Sequence, residues 1–316
     1  MYIVTGGYGF LGRYVVMEIM SNWKEKYVPI FIPVHKKYDL TKQSGIEKMF
    51  DYIFNNNTKP SDITIIHLAA SVGGIQANQE NPASFFYNNA IMGIQLLHTA
   101  YQYGIKKFVT VGTVCSYPKN PKHIPFVEED LWNGYPEETN APYGLAKRML
   151  LVQSQAYRQQ YGFNSIFLIP TNLYGPGDNF DPKTSHVIPA LIKKFVDARN
   201  NNLNEVQIWG TGKPTREFLH VEDAAKGIIQ ATKLYNKPEP VNLGTGKEIS
   251  IEYLAFKIAD FVGYNGKTFF DYTKPDGQPR RCLDVSKAKI EFNWEATKDF
   301  DVGLWETINW YESNLK

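Results

Sequence analysis

The sequence predicts an α/β fold, with a Rossmann-type doubly wound parallel sheet and a smaller α/β domain. Apolar β-type runs alternate with amphipathic helical stretches through residues 1–171. Strands that are apolar throughout and separated by helices are typical of a parallel sheet covered on both faces. In addition, a glycine-rich turn follows the first apolar run directly and leads into a helical stretch.

The elements of the first part follow from this alternation. Right-handed connections between parallel strands place the ligand crevice at the carboxyl ends of the strands. We predict buried strands at 1–4, 28–34, 63–69, 107–113 and 165–171, and helices at 12–20, 43–54, 82–103 and 143–160.

After residue 170 the alternation loosens. Loops rich in Pro, Gly and Asn surround two helices, predicted near 186–198 and 250–262. Residues 216–232 predict a strand followed by a helix with an Asp cap, which we expect to return to the first domain. The predicted domains are residues 1–168 with about 217–246, and residues 169–216 with 247–316.

Composition excludes several classes of protein. The 316 residues include 34 Lys and Arg against 32 Asp and Glu, a net charge of +2, which argues against a nucleic-acid partner. Two cysteines make neither a disulfide framework nor a metal site, and so favour a reducing compartment. Without a secretory signal or a long apolar window, we expect a soluble cytoplasmic protein with no membrane partner.

The first turn has the pattern of a phosphate-binding loop. In TGGYGFLG, Gly6, Gly9 and Gly12 let the backbone approach a pyrophosphate at the positive end of the following helix. The alternative is simply a tight β–α turn. The cofactor-binding candidates at this turn and after the third strand are Gly6, Gly9, Phe10, Leu11, Gly12, Leu68, Ala69 and Ala70.

The end of the second strand bears on which dinucleotide is bound. NAD sites usually place an acidic residue there, but this chain reads PVHKKYDL. The basic residues favour a 2′-phosphate and therefore NADP(H); the alternative is a solvated basic loop. The candidates are His35, Lys36, Lys37, Leu40 and Asp39, which could touch the adenine.

The stretch APYGLAK carries a candidate acid–base group. Tyr143 and Lys147 are one helical turn apart, and an ammonium there stabilises the phenolate of a group with an ordinary pKa of about 10. The order of glycine loop, Thr113, Tyr143 and Lys147 resembles the extended short-chain dehydrogenase/reductases. In that family the Ser or Thr hydroxyl polarises a sugar carbonyl, the Tyr transfers a proton and the nicotinamide transfers hydride.

Five longer stretches narrow the resemblance. LAASVGGIQAN (68–78), VGTVCSYPK (111–119), PTNLYGPGDNFDPKTSHVIPALIKKF (170–195), WGTGKPTREFLHVEDAA (209–225) and KPDGQPRR (274–281) resemble the GDP-L-fucose synthase family. The resemblance implies NADPH-dependent 3,5-epimerisation and 4-reduction of GDP-4-keto-6-deoxy-D-mannose. It also implies that the first domain binds NADP and the second binds the nucleotide sugar.

The implied epimerisation needs a base and an acid besides the reductase tyrosine. The C4 ketone acidifies the hydrogens on C3 and C5, and each centre inverts when a proton returns on the opposite face. In the family a Cys and the His of the SHV block fill these roles, which here match Cys115 and His186. A thiol suits the base role because a neighbouring cation such as His⁺ or Lys can lower its pKa. Without the resemblance, packing at a strand end is the preferred interpretation of Cys115, because an isolated cysteine most often belongs there.

The same resemblance implies the remaining contacts. Relatives pair as homodimers through the helices near 82–103 and 143–160, and we expect the same here. The cations assigned to the nucleotide could equally be surface charges. The cofactor-binding candidates at the nicotinamide are Tyr143, Lys147, Pro170, Asn172, Leu173 and His186; the substrate-binding candidates are Val72, Gly73, Thr113, Cys115, Asn172, Val187, Lys194, Trp209, Arg216 and Arg281.

Some residues depart from the family pattern. The glycine loop lacks the Ala-Gly-His opening that many fucose synthases have, Thr113 replaces the usual Ser, and Ser116 follows the cysteine. Two alternatives stay open, the first of them because of these differences. One is a related reductase acting on another GDP-sugar, such as a deoxyheptose, or epimerising only one centre. The other, from a different class, is a non-catalytic binder of NADP or nucleotide sugar.

Overall fold

The strands of the computed structural model form three sheets. The structure describes residues 1–21, 27–56, 58–274 and 276–315, without the side chains of residues 75 and 76. Its strands are β1 (Tyr2–Thr5), β2 (Ile30–Phe31), β3 (Thr64–His67), β4 (Lys107–Val111), β5 (Ser165–Pro170), β6 (Asn172–Tyr174), β7 (Glu205–Trp209), β8 (Thr215–His220), β9 (Val241–Leu243), β10 (Glu248–Ser250) and β11 (Lys267–Asp271).

Helices connect most of these strands. Among the described residues, no helix is both long enough and apolar enough to cross a membrane. The helices are α1 (Phe10–Ser21), α2 (Gln43–Phe54), α3 (Ile75–Glu80), α4 (Pro82–Gln102), α5 (Ala141–Tyr161), α6 (Val187–Asn200), α7 (Val221–Leu234), α8 (Ile251–Val262), α9 (Ser286–Phe292) and α10 (Phe300–Ser313).

The central sheet has six strands within the described residues, in the order β2-β1-β3-β4-β5-β9, and every neighbouring pair is parallel. Strands β4 and β5 are buried along their whole length, as their continuous apolar sequences predict. The predicted Rossmann-type parallel sheet is therefore confirmed. The carboxyl ends of β1, β3, β4 and β5 lie along one edge of the sheet, where the candidate residues follow.

Strand β2 is much shorter than the predicted 28–34, because it contains only Ile30 and Phe31. Pro29 and Pro33 flank this pair. Proline has no backbone N–H to donate to the ladder, so an apolar run bounded by prolines forms only a short edge strand.

The residues after β5 build a second hydrophobic core. It lies among α6, α8, α10, β7 and β8, and includes Phe195, Phe218, Ile258 and Ile308. Helix α7, in contrast, packs against α1 and contributes to the core of the central sheet. The domain bounds given above stay a prediction.

The predicted Asp cap of the helix after β8 is wrong, because His220 occupies the N-cap of α7 and its Nδ1 accepts from the N–H of Glu222. The Asp223 carboxylate instead accepts from the N–H groups of Thr297 and Lys298, at 2.8 and 2.7 Å. Asp223 thereby ties the segment before α10 to α7.

Candidate active site

The glycine loop between β1 and α1 allows close approach of the neighbouring backbone and of a ligand. Gly6 has φ +71°, and a Cβ there would lie 2.8 Å from the backbone N of Ala69. A Cβ on Gly12 would overlap the carbonyl of Gly6, whereas one on Gly9 would meet only that carbonyl oxygen, at 3.2 Å. The first N–H groups of α1 have no partner within the helix and can bind phosphate oxygens. The loop therefore fits the pyrophosphate of a dinucleotide.

The basic residues after β2 lie in an exposed turn. Asp39 organises this turn, since it accepts hydrogen bonds from the N–H and hydroxyl of Thr41 and lies 4.0 Å from His35. The Thr41 hydroxyl is the main cause that lowers the pKa of Asp39. Lys37 lies over the ring of Tyr52, 4.7 Å from its centroid. Lys36 is exposed, while Leu40 belongs to the core beneath the turn.

Thr113, Tyr143 and Lys147 come together at the end of β4. Thr113 begins a short 3-10 turn, accepts from the N–H of Cys115 at 3.2 Å, and lies beside the phenol of Tyr143. Burial, followed by negative charge on Cys115, raises the pKa of Tyr143 far above its ordinary value, and the Thr113 hydroxyl opposes that rise. The phenol is therefore protonated and placed to donate.

The buried Lys147 ammonium lies beneath this pair. Its Nζ donates to the carbonyl of Val111 at 3.0 Å and lies 5.9 Å from the centroid of the Tyr143 ring. Burial lowers the pKa of Lys147 to about 8. The one-turn spacing thus puts both groups on one face of α5, as the sequence predicts.

Close packing of α5 on the 3-10 turn fixes this geometry. A Cβ on Gly144 would lie 2.9 Å from the carbonyl carbon of Cys115, so only glycine allows the approach. The Ser116 hydroxyl donates to the Gly144 carbonyl at 3.0 Å, and Nε of Arg148 donates to the Ser116 carbonyl at 2.5 Å. Thr113 and Tyr143 consequently keep a fixed distance.

Cys115 faces a different set of groups from Thr113. It is half-buried, and Nη1 of Arg281 lies 3.7 Å from its sulfur. The sequence predicts a His or Lys as the neighbouring cation; the structure supplies Arg281, a residue assigned to the substrate. A guanidinium N–H beside a sulfur atom stabilises negative charge on it.

His186 lies at the start of α6, where its side chain makes no cap hydrogen bond. The residue is exposed to the cleft, yet the protein atoms around its ring, followed by the charge of Arg281, lower its pKa. A neutral imidazole accepts a proton, and the imidazolium so formed can return it. Burial and the same Arg281 charge lower the pKa of Arg216 to about 10. Arg281 thus acts electrostatically on both His186 and Arg216 and lies beside the sulfur of Cys115.

Glu217, which the sequence reasoning missed, brings Arg281 to this position. Its backbone N–H donates to the Arg281 carbonyl at 3.0 Å, and its buried carboxylate accepts from the N–H groups of Leu283, Thr245 and Gly246. Burial raises the pKa of Glu217 to about 6. The signal was a charged residue directly before the apolar pair Phe218 and Leu219 in the strand TREFLH.

His67 is a second buried residue that the sequence reasoning missed. Its Nδ1 lies 2.8 Å from the hydroxyl of Thr5, and Nε2 has no hydrogen-bond partner in the described part of the chain. Burial, followed by the charge of Lys147, lowers the pKa of His67 to about 3. The ring is therefore neutral, between the glycine loop and Lys147. Its only signal was the polar residue in the apolar run IIHLAA.

Loops from both halves of the chain meet near His186. The N–H of Gly74 donates to the carbonyl of Thr184 at 3.0 Å, which joins the loop of Val72 and Gly73 to the segment that ends at His186 and Val187. Asn172 donates to the Glu217 carbonyl at 2.8 Å, beside Pro170 at the end of β5. Leu173 packs against the core of the central sheet.

Of the residues expected at the nucleotide, Arg216 and Arg281 belong to the Cys115 cluster, whereas Trp209 and Lys194 have their contacts on β7. Trp209 is 61% exposed, with Lys274 over its ring at 5.3 Å from the centroid. Nζ of Lys194 donates to the carbonyl of Gln207 at 2.8 Å, on the same strand as Trp209. Within the described ranges, no hydrogen bond links Lys194 or Trp209 to Cys115 or Arg281. Pro275 of the KPDGQPRR segment lies outside the described residues.

Known proteins share both this sequence and this fold. The NAD dependent epimerase/dehydratase family matches residues 2–244. GDP-L-fucose synthase 1 of Arabidopsis thaliana is 39% identical over 313 residues, 99% of this chain and 93% of that protein.

Two solved structures extend the likeness to three dimensions. A GDP-6-OMe-4-keto-L-xylo-heptose reductase from C. jejuni has a TM-score of 0.88 and 27% identity, covering 99% of this chain and 98% of its own. A GDP-L-fucose synthetase from Naegleria fowleri bound to NADP has a TM-score of 0.86 and 29% identity, covering 99% and 94%. From its sequence and its fold, the chain belongs to the NAD dependent epimerase/dehydratase family, among the extended short-chain dehydrogenase/reductases.

Proposed function

We propose that this enzyme converts GDP-4-keto-6-deoxy-D-mannose to GDP-L-fucose by 3,5-epimerisation and NADPH-dependent 4-reduction. One observation carries the proposal: two different sets of groups meet on the single turn after β4. Thr113 faces Tyr143, whereas Cys115 faces Arg281. A reductase alone needs the first set, and the second set supplies the groups for proton transfer at carbon.

The cofactor is NADP(H). When bound, it supplies hydride from the nicotinamide. The loop of Gly6, Gly9 and Gly12 holds the pyrophosphate, and the exposed basic turn of residues 35–37 holds the 2′-phosphate. Support for the second contact comes from the charge of this turn and from the NADP-bound relative.

For the reduction, Thr113 polarises the C4 carbonyl of the sugar by donating a hydrogen bond. Tyr143, kept protonated by burial, gives its proton to the oxygen at C4 as that oxygen gains negative charge. The Lys147 ammonium then stabilises the tyrosinate that remains. No further acid is needed for this step.

For the epimerisation, Cys115 removes the proton from C3 or C5, and the electron pair moves to the C4 carbonyl oxygen as an enolate. His186 returns a proton to the same carbon on the opposite face, which inverts the centre. The Arg281 guanidinium stabilises the negative charge that moves between sulfur and substrate. The two inversions use the same pair of groups, because between them Cys115 loses its proton to solvent and His186 regains one from it.

The second core provides the nucleotide end of the site. Exposed Trp209 offers a flat surface for the guanine, and Lys194 and Arg216 are the cations for the diphosphate. The domain division that follows places NADP on residues 1–168 with about 217–246, and the nucleotide sugar on residues 169–216 with 247–316.

The decisive experiment is to incubate the protein with NADPH and GDP-4-keto-6-deoxy-D-mannose and identify the product by NMR. GDP-L-fucose is expected; an unchanged nicotinamide absorbance would exclude the reaction and leave the non-catalytic binder. A product reduced at C4 without both inversions would favour the related GDP-sugar reductases, among which the C. jejuni structure is one.

Two variants separate the chemical steps. Cys115→Ser should reduce deuterium incorporation from D₂O at C3 and C5 while leaving NADP(H) affinity unchanged. Tyr143→Phe should retain deuterium exchange and lose hydride transfer. If Cys115→Ser exchanges both positions at the parent rate, Cys115 is not the base.

The assembly and location belong to the same proposal. The long helices α4 and α5 present the exposed apolar residues Phe86, Tyr87, Met149 and Val152, which suit a homodimer interface. Size-exclusion chromatography with light scattering tests that state. The free thiol of Cys115, which the chemistry needs, suits the reducing cytoplasm.

A further inference from the structure

Gln278 connects Arg281 to the backbone beyond Cys115. The residue is only 6% exposed. Its Oε1 accepts from Nε of Arg281 at 3.1 Å, and its Nε2 donates to the carbonyls of Lys119 at 2.8 Å and Pro118 at 3.4 Å. A guanidinium only donates and carbonyls only accept, so the chemistry of the neighbours fixes the orientation of the amide.

Arg281 needs such a partner because its surroundings are cationic. Its charge lowers the pKa of both His186 and Arg216, so Arg281 repels each of them when they are protonated. In the described part of the chain, no carboxylate forms an ion pair with Arg281. The neutral Gln278 amide therefore holds the guanidinium without cancelling its charge, and leaves Nη1 directed at the Cys115 sulfur, 3.7 Å away.

We propose that Gln278 is a positioning residue that holds the Arg281 guanidinium against the sulfur of Cys115 and thereby serves proton transfer at carbon, not hydride transfer. This inference rests on the proposed function. The two halves of the site have separate supports: Gln278 joins residues 118 and 119 to Arg281, whereas α5 holds Tyr143 against Thr113. Loss of Gln278 should accordingly affect only the Cys115 half.

The primary variant is Gln278→Met, which keeps the length of the side chain and removes its hydrogen bonds. With GDP-4-keto-6-deoxy-D-mannose and NADP⁺ in D₂O, we expect the rate of deuterium exchange at C3 and C5 of the sugar to fall at least about tenfold. Mass spectrometry measures this exchange. Hydride transfer from GDP-L-fucose to NADP⁺, which needs no prior epimerisation, should stay at the parent rate. The matched control is Gln230→Met, since Gln230 also donates to two carbonyls, those of Phe292 and Asn293.

A double-mutant cycle tests whether Gln278 acts through Arg281. In an Arg281→Met background, Gln278→Met should cause no further loss of exchange. A parent exchange rate in Gln278→Met, or a full additional loss in the Arg281→Met background, would overturn the proposal. Equal losses in exchange and hydride transfer would overturn it as well, because they indicate a general structural role.

A third readout requires no sugar. The rate of Cys115 alkylation by iodoacetamide should fall in Gln278→Met, with buried Cys282 as the internal reference. If the parent protein does not convert the sugar but this difference appears, the proposed function fails and the positioning role stands. If Gln278→Met does not fold, Gln278→Glu replaces it: its carboxylate neutralises Arg281, and we again expect slower alkylation. Parent alkylation rates in the folded variant contradict the role.

Discussion

Gly144→Ala tests how closely α5 must approach the catalytic turn. The added Cβ would lie 2.9 Å from the carbonyl carbon of Cys115 and 3.3 Å from Cα of Ser116. Both are backbone atoms, so no side-chain rotation relieves the contact. Restoring an ordinary carbon–carbon separation moves the helix or the turn by roughly half an ångström or more.

The movement separates Tyr143 from Thr113, because one lies on the helix and the other begins the turn. A displacement of 1 Å can cost about a hundredfold in rate, so we expect the rate of hydride transfer to fall by about ten- to a hundredfold. Stability should fall by at most about 2 kcal/mol, since alanine favours the helix by about 1 kcal/mol and overpacking costs about 1–3 kcal/mol. NADPH oxidation, NADPH affinity and Tm are the measurements.

Gly93→Ala is the matched control. Gly93 is a helical glycine of α4 at the contact with α5, but its Cβ would meet the side chain of Leu150, with Cγ at 3.0 Å. A side chain can change rotamer where a backbone carbonyl cannot, so kcat should stay within about twofold of the parent. Parent activity in Gly144→Ala, or an equal loss in both variants, would refute the reasoning.

Two further predictions concern buried charges. Lys147→Met should abolish reduction yet raise the free energy of unfolding by at most about 3 kcal/mol. The reason is that burial, which lowers the pKa of Lys147 from 10.5 to about 8, destabilises the native state that holds the charged ammonium. A lower Tm in the variant would contradict this. For Glu217, the folded pKa of about 6 lies above the ordinary 4.5, so the folded state binds the proton more tightly. Its contribution to stability is then present below the lower value and is lost as pH rises through the higher one, about 2 kcal/mol in all. Denaturant titrations across this pH range should show that slope in the parent and not in Glu217→Gln, and parallel profiles would show that Glu217 is not its source.

Local patterns predicted most of the central sheet. Helix α2 has the bounds 43–54 that the sequence predicts, because its apolar residues recur with helical spacing and bury one face. The apolar runs at 107–113 and 165–171 likewise predicted β4 and β5. Strand β2 was overestimated because hydrophobicity alone does not reveal missing proline donors. The N-cap of α7 was missed because histidine is not among the usual N-cap residues. In His220 a ring nitrogen accepts the hydrogen bond that a side-chain oxygen of Ser or Asp usually accepts.

The contacts of the site depend on residues distant in sequence. Arg281 lies 166 positions from Cys115, and Glu217 is joined to Leu283 across 66. No periodicity encodes which of several basic residues crosses to the thiol. Thr113, Tyr143 and Lys147 were predictable because one strand end and one helical turn bring them together. Gln278 carried no signal, since a buried glutamine in a Pro- and Gly-rich loop reads as a solvated residue.

The turn after β4 places two chemistries within three residues. Thr113 and Cys115 are separated by one residue of a 3-10 turn, so they point to different partners although they share the same backbone support. The Tyr143 side depends on α5, and the Cys115 side on Arg281, which Gln278 and Glu217 hold by hydrogen bonds. Since Arg281 and Gln278 lie outside α5, changes there leave the packing of α5 on the turn in place. A reductase that no longer epimerises should therefore be reachable by changes at Cys115, Arg281 or Gln278 that leave the reduction geometry intact.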